Sequence, residues 1–158
     1  MHRVLMTATV ATVLLGAPAL VCAQAEHSMT ATSAASLEWS PIQPPGFKAG
    51  MEIAVVLGDP AAANEPYTVR LRFPDGYRFP SHYHPKAENV TVLSGTFLLS
   101  MGKTENEELT AYSAGDYLHI PPTQPHFGGA RGATMIQLHG EGPFEILLSN
   151  PEAAKPGK

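Results

Sequence analysis

The stretch "GYRFPSHYHPKAENVTVLSG", Gly76 to Gly95, decides how the rest of the chain is read. It sets His82 and His84 two apart, Glu88 four further on, and a glycine at each end. Side chains on a β-strand alternate between faces, so His82 and His84 point the same way. Their Cα atoms then sit roughly 6.5–7 Å apart, close enough for two imidazoles to converge on one ion. Pro85 has no N–H for a ladder and turns the chain. Glu88 is expected to open the next antiparallel strand, beside the one just left, with Val90 and Val92 following it at period two along an inward-facing row. A carboxylate in such a row is costly unless it is paired or bound to a cation.

Outward from this stretch, the pattern is one of short strands and turns. "YTVRLRF" alternates Tyr67, Val69, Leu71 and Phe73 on one face with Thr68, Arg70 and Arg72 on the other. "MEIAVVLG" precedes it, ended by Gly58-Asp59-Pro60, and Pro74-Asp75-Gly76 turns the chain after it. "ENVTVL" and "TFLLSM" read as two strands joined by a two-residue hairpin at Ser94-Gly95. "LTAY", "DYLHI", "TMIQLH" and "FEILLS" complete a series of about nine strands. With 14 Gly and 15 Pro and no sustained helical period, the chain is expected to be all-β, a sandwich or barrel. "LEWSPIQPPGFKAG" reads as an ordered loop or edge segment, with Trp39 in the core or laid over one sheet.

The 158 residues suffice for one domain. Residues 1–25 have a basic start at Arg3, an apolar run from Val4 to Val21 and small residues after it, the grammar of a secretory signal peptide cut after Ala23 or Ala25. A periplasmic or secreted protein is expected, with no membrane segment after cleavage. Residues 26–36 read as a flexible leader, 37–150 as the domain and 151–158 as a disordered tail. Removing Arg3 takes the formal charge from -4 to -5, and no basic patch remains for nucleic acid. It also removes Cys22, the one cysteine. The expected mature chain has neither disulfides nor thiolate ligands, so any metal must be held by histidine and carboxylate.

A second cluster, "AGDYLHIPPTQPHFGG", has Gly115 opening a strand, Pro121-Pro122 ending it and His126 following in a tight loop. The spacings Gly76-x5-His82-x-His84-x3-Glu88-x6-Gly95 resemble the first cupin motif at every fixed position. Gly115-x5-Pro121-x-Thr123-x2-His126 resembles the second, with Thr123 where that motif usually has Gly and Ala130 where it usually has Asn. The resemblance runs from about Tyr67 to Leu148 and is to small single-domain bacterial cupins of the type-2 kind. It implies a jelly-roll β-barrel, or double-stranded β-helix. It also implies one divalent metal (Fe, Mn, Ni, Cu or Zn) held inside by His82, His84, Glu88 and His126. The residues alone suggest the first three ligands; His126 joins them through the resemblance.

Competing readings stand beside this one. A lone His-x-His pair is commonly a pair of surface histidines, and Glu88 could instead pair with Arg78 or Lys86. His119 is expected to face outward with Tyr117. His139 faces outward if Ile136 and Leu138 face the core, or reaches the cavity if Met135 and Gln137 do; the sequence leaves both open. Tyr77, Phe79 and Phe127 read as packing at the barrel mouth. The resulting expectation is an exported metalloprotein acting on a small oxygen-bearing molecule, in the manner of an oxygenase. The alternative is a non-catalytic small-molecule or metal-binding module. Exposed strand edges leave a homodimer open.

Overall fold

The computed structural model describes residues 28–105 and 107–151. The signal segment expected over 1–25, the first two leader residues and nearly all of the 151–158 tail lie outside them. The chain divides into two units, Met1–Thr30 and Ala31–Lys158, and every element named below belongs to the second. No helix among the described residues is long and apolar enough to cross a membrane.

Among the described residues, one 3-10 turn, Ala34–Ser36, precedes nine strands. They are β1 (Ser40–Ile42), β2 (Met51–Leu57), β3 (Pro66–Phe73), β4 (Arg78–Tyr83), β5 (Glu88–Met101), β6 (Thr110–Ser113), β7 (Tyr117–Ile120), β8 (His126–Glu141) and β9 (Leu147–Leu148). All pairings are antiparallel. The all-β jelly-roll expectation holds.

The alternation of β3 works as read: Tyr67, Val69, Leu71 and Phe73 are buried, and the residues between them are half-exposed. On the outer face, Arg72 pairs with Glu52 of β2 at 3.1 Å. Its guanidinium also sits 3.7 Å over the centre of the Trp39 ring, so Trp39 covers the outside of the sheet. The apolar rows of β3, β5, β7 and β8 meet in one core that includes Val69, Val90, Val92, Ile120, Ile136 and Leu138.

The strand β8 is the spine. Its first residues, His126–Gly129, pair with β4 and with the far half of β5. Its last eight, Thr134–Glu141, pair with β3, and most of them also with the near half of β5. Two half-sheets are thus joined by two long strands that bend together. The bend falls at Ser94-Gly95 on β5 and at Gly132–Thr134 on β8, where the register slips. Gly95 has φ 76, and a Cβ there would lie within 2.4 Å of the Ala133 carbonyl oxygen, so no other residue fits without backbone movement. Buried Thr134 stitches the corner: its hydroxyl accepts the Thr96 N–H and donates to the Thr96 carbonyl, each at 3.2 Å.

This corrects the hairpin expected at Ser94-Gly95. A left-handed glycine serves a tight turn and a bulge equally. Here both halves of β5 find partners on the same strand, β8, so the chain bends and does not reverse. A second correction concerns β4 and β5, which do not pair with each other. β4 lies between β8 and β9, whereas the start of β5 lies between β7 and β8.

Candidate metal centre

His82 and His84 come from β4 and the residue after it, and both are buried. Glu88 is the first residue of β5 and 8% exposed. Because β4 and β5 are not neighbours, the carboxylate approaches from another part of the wall, not from the strand alongside. His126 is the first residue of β8, paired with His82, and not part of a loop as the sequence suggested. The loop before it ends at Pro125, which cannot donate a ladder bond.

The three ligand-capable ring nitrogens lie within 4.8 Å of one another. Ring centroids are 4.3 Å apart for His82 and His126, 5.1 Å for His82 and His84, and 5.3 Å for His84 and His126. The Glu88 Oε2 is 3.5 Å from His84 Nε2 and 3.4 Å from His126 Nε2. Neither Arg78 nor Lys86 claims the carboxylate. The Arg78 Nη1 donates to the Tyr77 and Ala130 carbonyls, and Lys86 pairs with Glu141.

Each imidazole is held by its other nitrogen. The Nδ1 of His82 faces the Pro80 carbonyl at 2.8 Å, that of His84 the Glu145 carbonyl at 2.7 Å, and that of His126 the Gln124 carbonyl at 3.0 Å. A carbonyl only accepts, so each Nδ1 carries the proton. In a neutral ring Nε2 is then a bare lone pair. Three lone pairs and a carboxylate meeting in a buried space have nothing to donate to one another. Buried His84 Nε2 accordingly has no hydrogen-bond partner. Such a set suits a cation, and the oriented Nδ1–H···O=C contacts are those that metal-bound imidazoles use.

Burial, reinforced by the neighbouring His126 and His84, pushes His82 down to about 3, which keeps it neutral. Burial works to raise Glu88, but attraction to positive charge on the facing imidazoles outweighs it and holds the carboxyl at about 2, the same attraction that a bound cation would supply beside neutral rings. Burial and then the Glu88 charge push the nearby Tyr67 phenol well above its ordinary value, so it stays protonated.

The set opens on a cavity of about 30 Å³ that also touches Phe47, Phe79 and Phe144. Phe47 meets the His82 ring edge-on at 5.1 Å, and Phe144 stacks on His84 at 5.1 Å and 17°. Phe79 and Tyr77 are core residues and not mouth packing, and Phe127 is also buried. His119 is exposed, as expected. His139 is exposed too, with Ile136 and Leu138 buried, so the outward reading of the two holds.

Sequence reasoning did not find the three carbonyls. Two of them, Pro80 and Gln124, lie two residues before the histidine they hold, so a local signal existed. Glu145 is 61 residues from His84, and nothing in the sequence links them.

Comparison with known proteins agrees with this architecture. Residues 69–139 match the family model described as "Cupin domain". Residues 69–139 belong to a small type-2 cupin domain. Among curated proteins the sequence finds no match. Solved structures do match. The polyketide cyclase RemF from Streptomyces resistomycificus superposes with a TM-score of 0.65 at 14% identity, over 77% of this chain and 85% of that one. A cupin 2 conserved barrel domain protein from Rhodopseudomonas palustris gives 0.59 at 17% identity, over 77% and 86%. The DMSP lyase DddQ from Ruegeria pomeroyi DSS-3 gives 0.58 at 20% identity, over 75% and 64%. At these identities the shared property is the fold. In this cupin domain Thr123, where the motif usually has Gly, has φ 63, and its N–H donates to the His84 carbonyl at 2.8 Å. The left-handed backbone explains why glycine is usual there.

Proposed function

We propose that this cupin binds one divalent transition metal through His82, His84, Glu88 and His126 and uses it on a small oxygen-bearing molecule, in the manner of an oxygenase. The observation that carries the reading is the orphaned, buried His84 Nε2 among two similarly oriented imidazoles and a carboxylate. Nitrogen and oxygen donors of this kind fit Fe, Mn, Ni, Cu or Zn. Once bound, the ion would supply Lewis acidity and, if redox-active, electrons.

The chain's own residues have separable tasks. The Pro80, Glu145 and Gln124 carbonyls orient the imidazoles. The phenylalanines exclude water from the donor set. Glu88 holds the negative charge at Oε2 and is the group that could accept a proton from a bound hydroxyl. Among the described residues lining the cavity, the ionisable groups are these four donors. This lack of a separate acid or base supports the alternative, a binding module without turnover.

The remaining parts of the proposal rest on the sequence: residues 1–25 as an export signal, 26–36 as a leader, 37–150 as the mature domain, and a periplasmic or secreted location. Mass spectrometry of the protein purified from its native compartment would read the processed terminus. A homodimer through an edge such as β1, paired only with β2 among the described residues, would be read by light scattering.

The deciding experiment is elemental analysis of the purified protein, followed by a substrate screen with each metal form. One metal per chain and a product with one of them supports an enzyme. One metal and ligand-induced thermal shifts without product support the binding module. Metal content that does not depend on His82 or His126 overturns both.

A further inference from the structure

The cavity is polar at one pole only. His82, His84, His126 and Glu88 make that pole. The rest of the wall is five phenylalanines (Phe47, Phe73, Phe79, Phe97 and Phe144) together with Met51, Leu71, Ile136 and Ile146. Among the described residues, no lysine, arginine, hydroxyl or amide side chain reaches the lining. A second polar group on a ligand would therefore lose its water without gaining a partner, at a cost of about tenfold in affinity or more.

We propose that the site takes a small molecule with a single oxygen-donor head and an uncharged aromatic or branched-alkyl body. The proposal rests on the metal reading for the head and on the phenylalanine wall for the body. A divalent ion at +2 and Glu88 at -1 leave +1, which also favours a head that is neutral or singly anionic. Sugars and zwitterions carry a second polar centre that this wall leaves unpartnered, and a phosphate dianion mismatches the net +1.

The wall also shows where such a molecule enters. At about 30 Å³ the closed cavity holds a water or an ion but no ring. Leu71, Phe73, Phe79, Phe97 and Ile136 are fixed on strands. Phe47, Phe144 and Ile146 lie outside strands. Phe47 is buried, whereas Phe144 and Ile146 are half-buried in the segment between β8 and β9, held there by the Phe144 N–H to the Pro60 carbonyl at 2.7 Å, so this is the side from which a ligand is taken to enter. Between Phe144 and Ile146, the Glu145 carbonyl accepts the His84 Nδ1–H hydrogen bond at 2.7 Å. Displacing the segment to admit a ligand therefore loosens His84, and closing it over an apolar body restores the ring's orientation.

The test compares two ligands with one chelating head. Benzohydroxamate and glycine hydroxamate are titrated calorimetrically into the Zn²⁺-loaded protein, with zinc content measured in the same samples. Benzohydroxamate is expected to bind about tenfold tighter or more, and Ile146→Glu, at the rim, is expected to shrink that ratio. Equal binding, or a preference for the glycine compound, overturns the inference while leaving the metal reading intact. A metal-independent arm separates the two further. Toluene added to EDTA-treated protein is expected to shift the methyl resonances of Met51, Leu71 and Ile136. Shifts without any zinc uptake would sink the metal reading and keep the apolar body; no shifts would sink the apolar body.

Discussion

Glu88 and Asn89 are consecutive residues at the start of β5, and each gathers histidines on its own face of the wall. Inside, Glu88 meets His84 and His126, with His82 beside them, all buried. Outside, Asn89 Oδ1 faces the His119 Nδ1 and accepts the Tyr117 hydroxyl, each at 2.8 Å, and its amide donates to the His139 carbonyl. The His139 ring lies 6.4 Å from that of Tyr117. Both clusters set histidines around a side-chain oxygen at the start of β5. What differs is water and charge: the outer rings are solvated beside a neutral amide, and the inner rings are dry beside a carboxylate. One step along a strand separates a candidate metal centre from a polar surface.

The most severe way to break the contrast is to remove an inner ring. His82→Ala or His126→Ala is expected to abolish metal stoichiometry in elemental analysis, a larger loss than the roughly 10–100-fold that an outer partner commands. His119→Ala and His139→Ala are expected to leave it unchanged. Exchanging the charges comes next. Glu88→Gln keeps the shape and removes the anion, and metal affinity measured by competition with a chelator should fall about tenfold or more. Asn89→Asp adds an anion on the wet face, where solvent screens it, and should change that affinity by less than about twofold.

Acid should sharpen the contrast in metal-free protein. His82 is lowered in the fold from 6.5 to about 3, so the unfolded chain binds the extra proton first. Stability is then fully present above about 6.5 and is lost as pH falls towards 3. Glu88, lowered from 4.5 to about 2, adds a second loss below 4.5. Urea denaturation across this range should show both limbs, with Glu88→Gln removing the lower one and His119→Ala removing neither. The smallest effect is expected at Thr123, where replacing a left-handed threonine by glycine should stabilise the fold by about 1 kcal/mol in the same assay.

Much of the inner cluster was legible because it depends on period two. Spacing alone put His82 and His84 on one face, and the Val90 and Val92 row placed Glu88 inward. The exact alternation of β3 likewise carried its buried face into the sequence. Long-range partners were not legible. Gly95 carries the same local signal in a hairpin and in a bulge, and only β8, more than thirty residues later in the chain, distinguishes them. Glu88 was placed beside β4 because consecutive strands commonly pair, yet the barrel puts β8 next to β4. His126 and its ring-orienting carbonyl are local, but their meeting with His82 is a property of the folded sheet.

The central place of β8 has a consequence for the order of assembly. Three donors lie within seven residues of chain, from His82 to Glu88, but His126 arrives only when β8 docks against β3, β4 and β5. These are pairings of high contact order, which form late and slowly. A metal met early in folding would find a partial chelate open to water, whereas one met late would find the full donor set in a dry barrel. The choice of a metal at the proposed site would thereby be tied to timing as well as to affinity.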